Sequence, residues 1–88
     1  MKKDELLIKL KDIQDSLGNW NVELGEETFA DFIIGCFFDE TIGKWKVYVN
    51  RERGRHSIRL VTENEEEAFD KLLAIIKFQA ENIKYWNN

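Results

Sequence analysis

The run Phe29–Phe38 (FADFIIGCFF) constrains the fold of this chain more than any other segment. At a strand's period of two, Phe32, Ile34, Cys36 and Phe38 share one face, and Ile33, Gly35 and Phe37 share the other. A strand that is apolar on both faces belongs in the middle of a sheet. The other reading, a buried helix, is weakened by Gly35 and by the aromatic content.

The rest of the chain arranges itself around that strand by changes of period. Over Asp4–Leu17, Leu6, Leu10, Ile13 and Leu17 recur at helical spacing, and Gly18 sits where a left-handed cap ends a helix. Trp20, Val22 and Leu24 then alternate with Asn19, Asn21 and Glu23 as a half-buried strand, closed by a turn at Gly25-Glu26-Glu27. Asp39–Gly43 reads as a hairpin loop. Lys44–Asn50 is a strand with Trp45, Val47 and Val49 inward and Lys46 and Tyr48 outward. Arg51–Arg55 turns around Gly54, and Ser57–Thr62 is a further strand with Ile58 and Leu60 inward. Helix signals return with Thr62 and Glu65 as a capping box, and Asn64 with Glu67 offers the same device two residues later. Phe69, Leu72, Leu73, Ile76, Ala80 and Ile83 form the apolar stripe of a helix running to about Lys84.

This order predicts one α+β domain over residues 1–88. An N-terminal helix precedes a three- to four-stranded antiparallel meander sheet, a C-terminal helix follows it, and both helices pack on one sheet face. The pattern leaves open whether residues 19–24 pair as a full strand or trail along an edge. The opposite sheet face is expected to be open, or to be covered by a terminus or a second copy. Phe37, Ile33 and Tyr48 fall on that face.

Composition excludes several classes. With 43% hydrophobic residues and six Phe, three Trp and two Tyr, the chain is too apolar for a disordered acidic tail. No apolar run reaches the roughly 18–20 residues of a membrane span, and Met1-Lys2-Lys3-Asp4-Glu5 enters a charged helix without a signal-peptide core. A soluble, cytoplasmic domain is expected. Cys36 and His56, each the sole residue of its kind, cannot supply a four-ligand zinc site or an internal disulfide, so no metal or cofactor is expected. Ser16, Ser57, Cys36 and His56 suggest no nucleophile with a base and an orienting partner, so the chain does not read as an enzyme.

The net charge of −4 hides an asymmetry. Residues 1–28 carry four basic and seven acidic groups, residues 29–62 six and four, and residues 63–88 three and six, giving −3, +2 and −3. Acid collects at Glu23, Glu26, Glu27 and Asp31, and again at Glu63, Glu65, Glu66, Glu67 and Asp70. Helix capping accounts for the second group locally. The first forms an acidic arm suited to a basic protein partner. Arg51, Arg53, Arg55 and Arg59 offer an alternative nucleic-acid surface, and the helix–strands–helix order overlaps that of double-stranded-RNA-binding domains. Those modules carry lysines at the start of their second helix. Here the position reads Glu65-Glu66-Glu67-Ala68, which argues against nucleic acid as the direct ligand.

Lys44-Trp45-Lys46-Val47-Tyr48-Val49-Asn50-Arg51-Glu52-Arg53-Gly54, followed by Glu63-Asn64-Glu65-Glu66-Glu67-Ala68-Phe69-Asp70-Lys71-Leu72-Leu73, resembles small bacterial immunity proteins of polymorphic-toxin and contact-dependent-inhibition systems. The likeness covers roughly residues 29–75. It implies a non-enzymatic antitoxin that binds a cognate toxin domain, often a nuclease with a basic cleft, and blocks its active site. It assigns no binding residues. From charge and parity, the contact residues are expected to be Glu23, Glu26, Glu27 and Asp31 as the acidic arm, with Phe37 and Tyr48 as sheet-face anchors. The free protein is expected to be a monomer or weak homodimer.

Overall fold

The computed structural model describes the backbone of residues 1–86 and the side chains of residues 1–83. Its elements are α1 (Lys3–Ile13), β1 (Asn21–Leu24), β2 (Ile33–Asp39), β3 (Lys44–Asn50), β4 (His56–Thr62) and α2 (Glu65–Trp86). The strands form one sheet in the order β1-β2-β3-β4, with β2 central as its double-sided apolarity requires. The chain is thus an α+β domain with an N-terminal helix, a four-stranded sheet and a C-terminal helix packed on that sheet.

Both helix ends follow local chemistry. After α1 a single 3-10 turn, Gln14–Ser16, leads to Gly18, whose φ of +60° is the left-handed conformation that glycine adopts without steric cost. At the start of α2, Asn64 Oδ1 accepts the Glu67 N–H at 3.1 Å, so the second of the two candidate caps closes this helix. Thr62 Oγ1 instead accepts the Asn64 N–H at 3.1 Å, shaping the turn before it. Glu65, Glu66 and Glu67 occupy the first turn, where the helix dipole favours them.

The sheet departs from an all-antiparallel meander at its first strand. β2, β3 and β4 are antiparallel neighbours, but β1 runs parallel to β2, with Val22 beside Ile34 and Leu24 beside Cys36. A parallel neighbour cannot be reached by a hairpin, so the chain must cross a sheet face between the two strands. Residues 25–32 make that crossing on the face away from the helices. Consequently residues 29–32 are not strand. Phe29 is 65% exposed, and Phe32 takes a left-handed φ of +59° that stops the extended chain before Ile33. The Asn21 N–H bonds to the Phe32 carbonyl at 2.9 Å and the Phe32 ring meets Trp20 edge-on at 5.5 Å, which hold this bend.

Two apolar clusters result. The larger lies between sheet and helices, where Ile34, Cys36, Val47 and Val49 meet Leu6, Leu17, Phe69, Leu72 and Ile76. Each such side chain contributes roughly 1.5–3 kcal/mol on burial. The smaller, Ile33, Phe37 and Tyr48, lies on the other face beneath the crossing segment. The face expected to be open is therefore covered in part by the chain's own residues 25–32.

The inward assignment of Ile58 together with Leu60 also changes. Val47 pairs with Leu60 and Tyr48 with Ile58, so Arg59 is an extra residue in a β-bulge. The bulge leaves Leu60 packed against the main core and turns Ile58, 42% exposed, to the opposite face. Among the described residues, no helix is long and apolar enough to cross a membrane.

Candidate partner-binding surface

The crossing segment is pinned by two side chains of β3. Tyr48 and Asn50 alternate with Val47 and Val49, so they point away from the helices and toward residues 25–32. The Tyr48 hydroxyl donates to the Glu26 carbonyl at 2.8 Å and accepts the Thr28 N–H at 3.1 Å. The Asn50 amide donates to the Thr28 carbonyl at 2.6 Å and to the Ala30 carbonyl at 3.0 Å. With both amide protons used, Asn50 Oδ1 faces His56 Nδ1 and accepts from it. His56 Nε2 lies 3.1 Å from Glu27 Oε2, an ion pair when the ring is protonated. The ring itself is held between Phe29 and Tyr48, at centroid distances of 4.6 and 5.1 Å. Every buried side-chain nitrogen and oxygen among the described residues has a partner.

Tyr48 reaches the segment because its cross-strand neighbour is Gly35. A Cβ at position 35 would lie 2.2 Å from Tyr48 Cζ and 2.4 Å from its hydroxyl oxygen. The phenol lies in the space a larger residue would fill. Burial raises the Tyr48 pKa; the Thr28 N–H partly opposes this, and the charges of Glu23 and Glu27 add to it.

This arrangement collects the acidic arm on one piece of backbone. Glu26, Glu27 and Asp31 are exposed on the crossing segment, and Glu23 precedes it on β1, half-buried and opposite Gly35. The two aromatic anchors fare differently. Tyr48 is fully buried and Phe37 is 8% exposed, packed edge-on against Tyr48, so neither presents a free surface. Their place on the outer surface is taken by Phe29 and, on β4, by Ile58 and Val61. Parity could not reveal Phe29, because it reads as the start of a strand. Asn50 and His56 were equally hidden, since their importance comes from a crossing that leaves no mark in the periodicity. Arg51, Arg53, Arg55 and Arg59 are all exposed around the β3–β4 turn, and none has an ion-pair partner among the described residues.

The candidate nucleophiles lie apart. His56 pairs with Asn50 on the crossing-segment face, whereas Ser57 pairs with Val49 on the helix face. Cys36 is buried in the main core, and desolvation, helped by the charge of Glu65, pushes its thiol up to about 12, where little thiolate forms at neutral pH. No group of three or more metal-ligating side chains occurs among the described residues.

Compared with protein-family models, with curated proteins and with solved structures, the chain matches none.

Proposed function

We propose that this chain is an immunity protein, a cytoplasmic antitoxin that binds a cognate bacterial toxin domain and occludes its active site without doing chemistry itself. The observation that carries this reading is the pinned crossing segment. It carries Glu26, Glu27 and Asp31, with Glu23 before it on β1, on the same stretch of chain as the exposed ring of Phe29. Three hydrogen bonds donated by Tyr48 and Asn50 and one accepted by Tyr48 hold it before any partner arrives, so binding does not have to order a loop. Carboxylates around an aromatic anchor suit a basic cleft such as that of a nuclease, where they steer encounter while the ring supplies desolvated contact. Phe29 and Ile58 take the anchoring role in place of Phe37 and Tyr48.

The test is co-expression with the toxin domain encoded beside this chain. The expected result is a stoichiometric complex at low salt, growth rescue, and an association rate reduced at least tenfold by Glu26→Lys with Asp31→Lys. A toxin domain that does not co-purify at low salt refutes the proposal. The exposed, unpaired arginines favour one second reading, a small RNA-binding module using Arg51, Arg53, Arg55 and Arg59. A gel shift that falls steeply with salt and is lost on Arg→Ala substitution at these positions supports that reading.

A further inference from the structure

A second surface lies along one flank of α2, on the helix side of the sheet, where it meets the crossing segment only at that segment's last residue, Phe32. Two adjoining hollows, of about 230 and 540 Å³, share Arg51 and Gln79 as common walls and so form one groove. From α2 the groove takes Lys71, Ile75, Gln79 and Ile83, a stripe with a spacing of four. At 1.5 Å per residue that stripe is about 18 Å long. The buried Ile34 and Val49 of the sheet lie beneath the smaller hollow, Phe78 of α2 flanks it, and Trp20 and Phe32, just before β1 and β2, wall the larger. Val49 has the small Ser57 beside it on β4, and the β4 side chain that reaches this hollow is Arg59.

The charge of the groove runs against that of the chain. Acids outnumber bases seventeen to thirteen overall, yet neither hollow has an Asp or Glu in its wall. Among the described residues, three cations line it instead. Arg51, Arg59 and Lys71 are exposed, and none has an ion-pair partner among the described residues. Arg59 is the extra residue of the β4 bulge, so the irregularity that turns Ile58 away also contributes a guanidinium to this wall.

We infer that this groove binds an extended peptide segment that alternates acidic and apolar side chains. The two guanidinium forks match carboxylates with paired hydrogen bonds, and Lys71 adds a third positive charge. The part-exposed apolar walls, Ile75, Phe78, Trp20 and Phe32, suit side chains that alternate with those carboxylates along an extended chain. Gln79, Asn82 and Asn19 each offer both a donor and an acceptor, which a peptide backbone can use and a simple aliphatic acid cannot. A length of about 18 Å accommodates roughly five extended residues. The ligand chemistry is opposite to that suited to the crossing segment, and the inference stands whatever that segment binds.

The test uses the full chain, isotope-labelled, and three probes: the capped pentapeptide Glu-Leu-Glu-Phe-Glu, its Lys-Leu-Lys-Phe-Lys counterpart, and decanoate. The acidic peptide is expected to shift backbone resonances along residues 71–83 and at Arg51 and Arg59 saturably, with an affinity that falls as salt rises. Arg51→Ala with Arg59→Ala is expected to weaken it at least tenfold while leaving the melting temperature unchanged. Should that pair fail to fold, Lys71→Glu on the exposed helix surface gives the same readout. Equal binding of the basic peptide, shifts confined to another face, no saturation, or tighter binding of decanoate than of the acidic peptide each overturns the inference. So does a single-stranded RNA that occupies the same arginines more tightly than the acidic peptide.

Discussion

Replacing Gly35 with alanine tests the crossing segment at its root. The added methyl would lie 2.2 Å from Tyr48 Cζ, 2.4 Å from Oη and 2.5 Å from Cε1, against an optimum of roughly 3.5–4.0 Å for carbon contacts. The ring must move by more than an ångström, and it cannot do so while its hydroxyl bridges Glu26 and Thr28. Loss of those two hydrogen bonds costs about 2 kcal/mol, and overpacking beside a central strand adds roughly 1–3 kcal/mol. The backbone gain of alanine over glycine offsets about 0.5–1 kcal/mol. A net loss of about 2–4 kcal/mol is expected, a large fraction of the roughly 5–15 kcal/mol that holds a domain folded.

Urea unfolding followed by tryptophan fluorescence measures the loss, and a double-mutant cycle identifies its cause. In a Tyr48→Val background the ring is gone, the clash with it, and Gly35→Ala is expected to be neutral or slightly stabilising. The coupling between the two positions then comes to at least about 2 kcal/mol. Amide exchange at Thr28 reports the same event, because its N–H loses the Tyr48 acceptor in either single variant. Equal cost of Gly35→Ala in both backgrounds, or a cost below about 1 kcal/mol in the parent chain, would falsify the view that Tyr48 crosses Gly35 to hold the segment.

Asn50→Ala leaves the Thr28 and Ala30 carbonyls and His56 Nδ1 without their partner, and is expected to cost roughly 2–3 kcal/mol in the same urea assay while exposing residues 25–32 to limited proteolysis. Asp39 accepts the Thr41 hydroxyl and pairs with Lys46 at 2.9 Å, and these hold its carboxyl at about 2 against the ordinary 3.8. Since the folded value is the lower, its contribution is present above about pH 4 and is lost as pH falls toward 2. Asp39→Asn should therefore flatten that part of the stability-against-pH curve and leave its shape above pH 5 unchanged. Cys36 should resist a disulfide exchange reagent at pH 8 in the folded protein and react at once in urea, whereas rapid labelling of the native state contradicts its burial.

Much of this fold was legible because burial enforces periodicity. Lys44–Asn50 reads as a strand and folds as β3 with the same limits. The α2 stripe and the Asn64 cap are equally local, each set by residues within a few positions of one another. Three features escaped because they depend on pairing rather than pattern. The connection from β1 to β2 is only eight residues long, shorter than parallel crossovers usually are, and its apolar Phe29 and Phe32 extend the strand period that follows. Ile58, Arg59 and Leu60 alternate in kind without a break, so the bulge between them is visible only against β3. Tyr48 looks like an outward residue by parity, which it is; what parity omits is that other chain lies above it. The clustering of Glu26, Glu27 and Asp31 was legible in the sequence, but which aromatics stay exposed beside them was not, because that depends on which ones the crossing segment buries.

That crossing also explains why the acidic arm differs physically from the equally acidic start of α2. Glu65, Glu66 and Glu67 interact with a helix terminus, and their position is accounted for by the stability they give it. The carboxylates of residues 25–32 have no such local service apart from Glu27, which faces His56. They occupy a segment fixed by neutral hydrogen bonds from Tyr48 and Asn50, so Glu26 and Asp31 can be changed without removing any contact that holds the backbone. Charge reversal there should leave stability within about 0.5 kcal/mol while altering association with a basic partner. Charge reversal at Glu65–Glu67 should do the opposite. Measuring urea midpoints and association rates on both sets of variants separates a binding surface from a helix cap, and loss of stability on Glu26→Lys with Asp31→Lys would assign the arm to the fold instead.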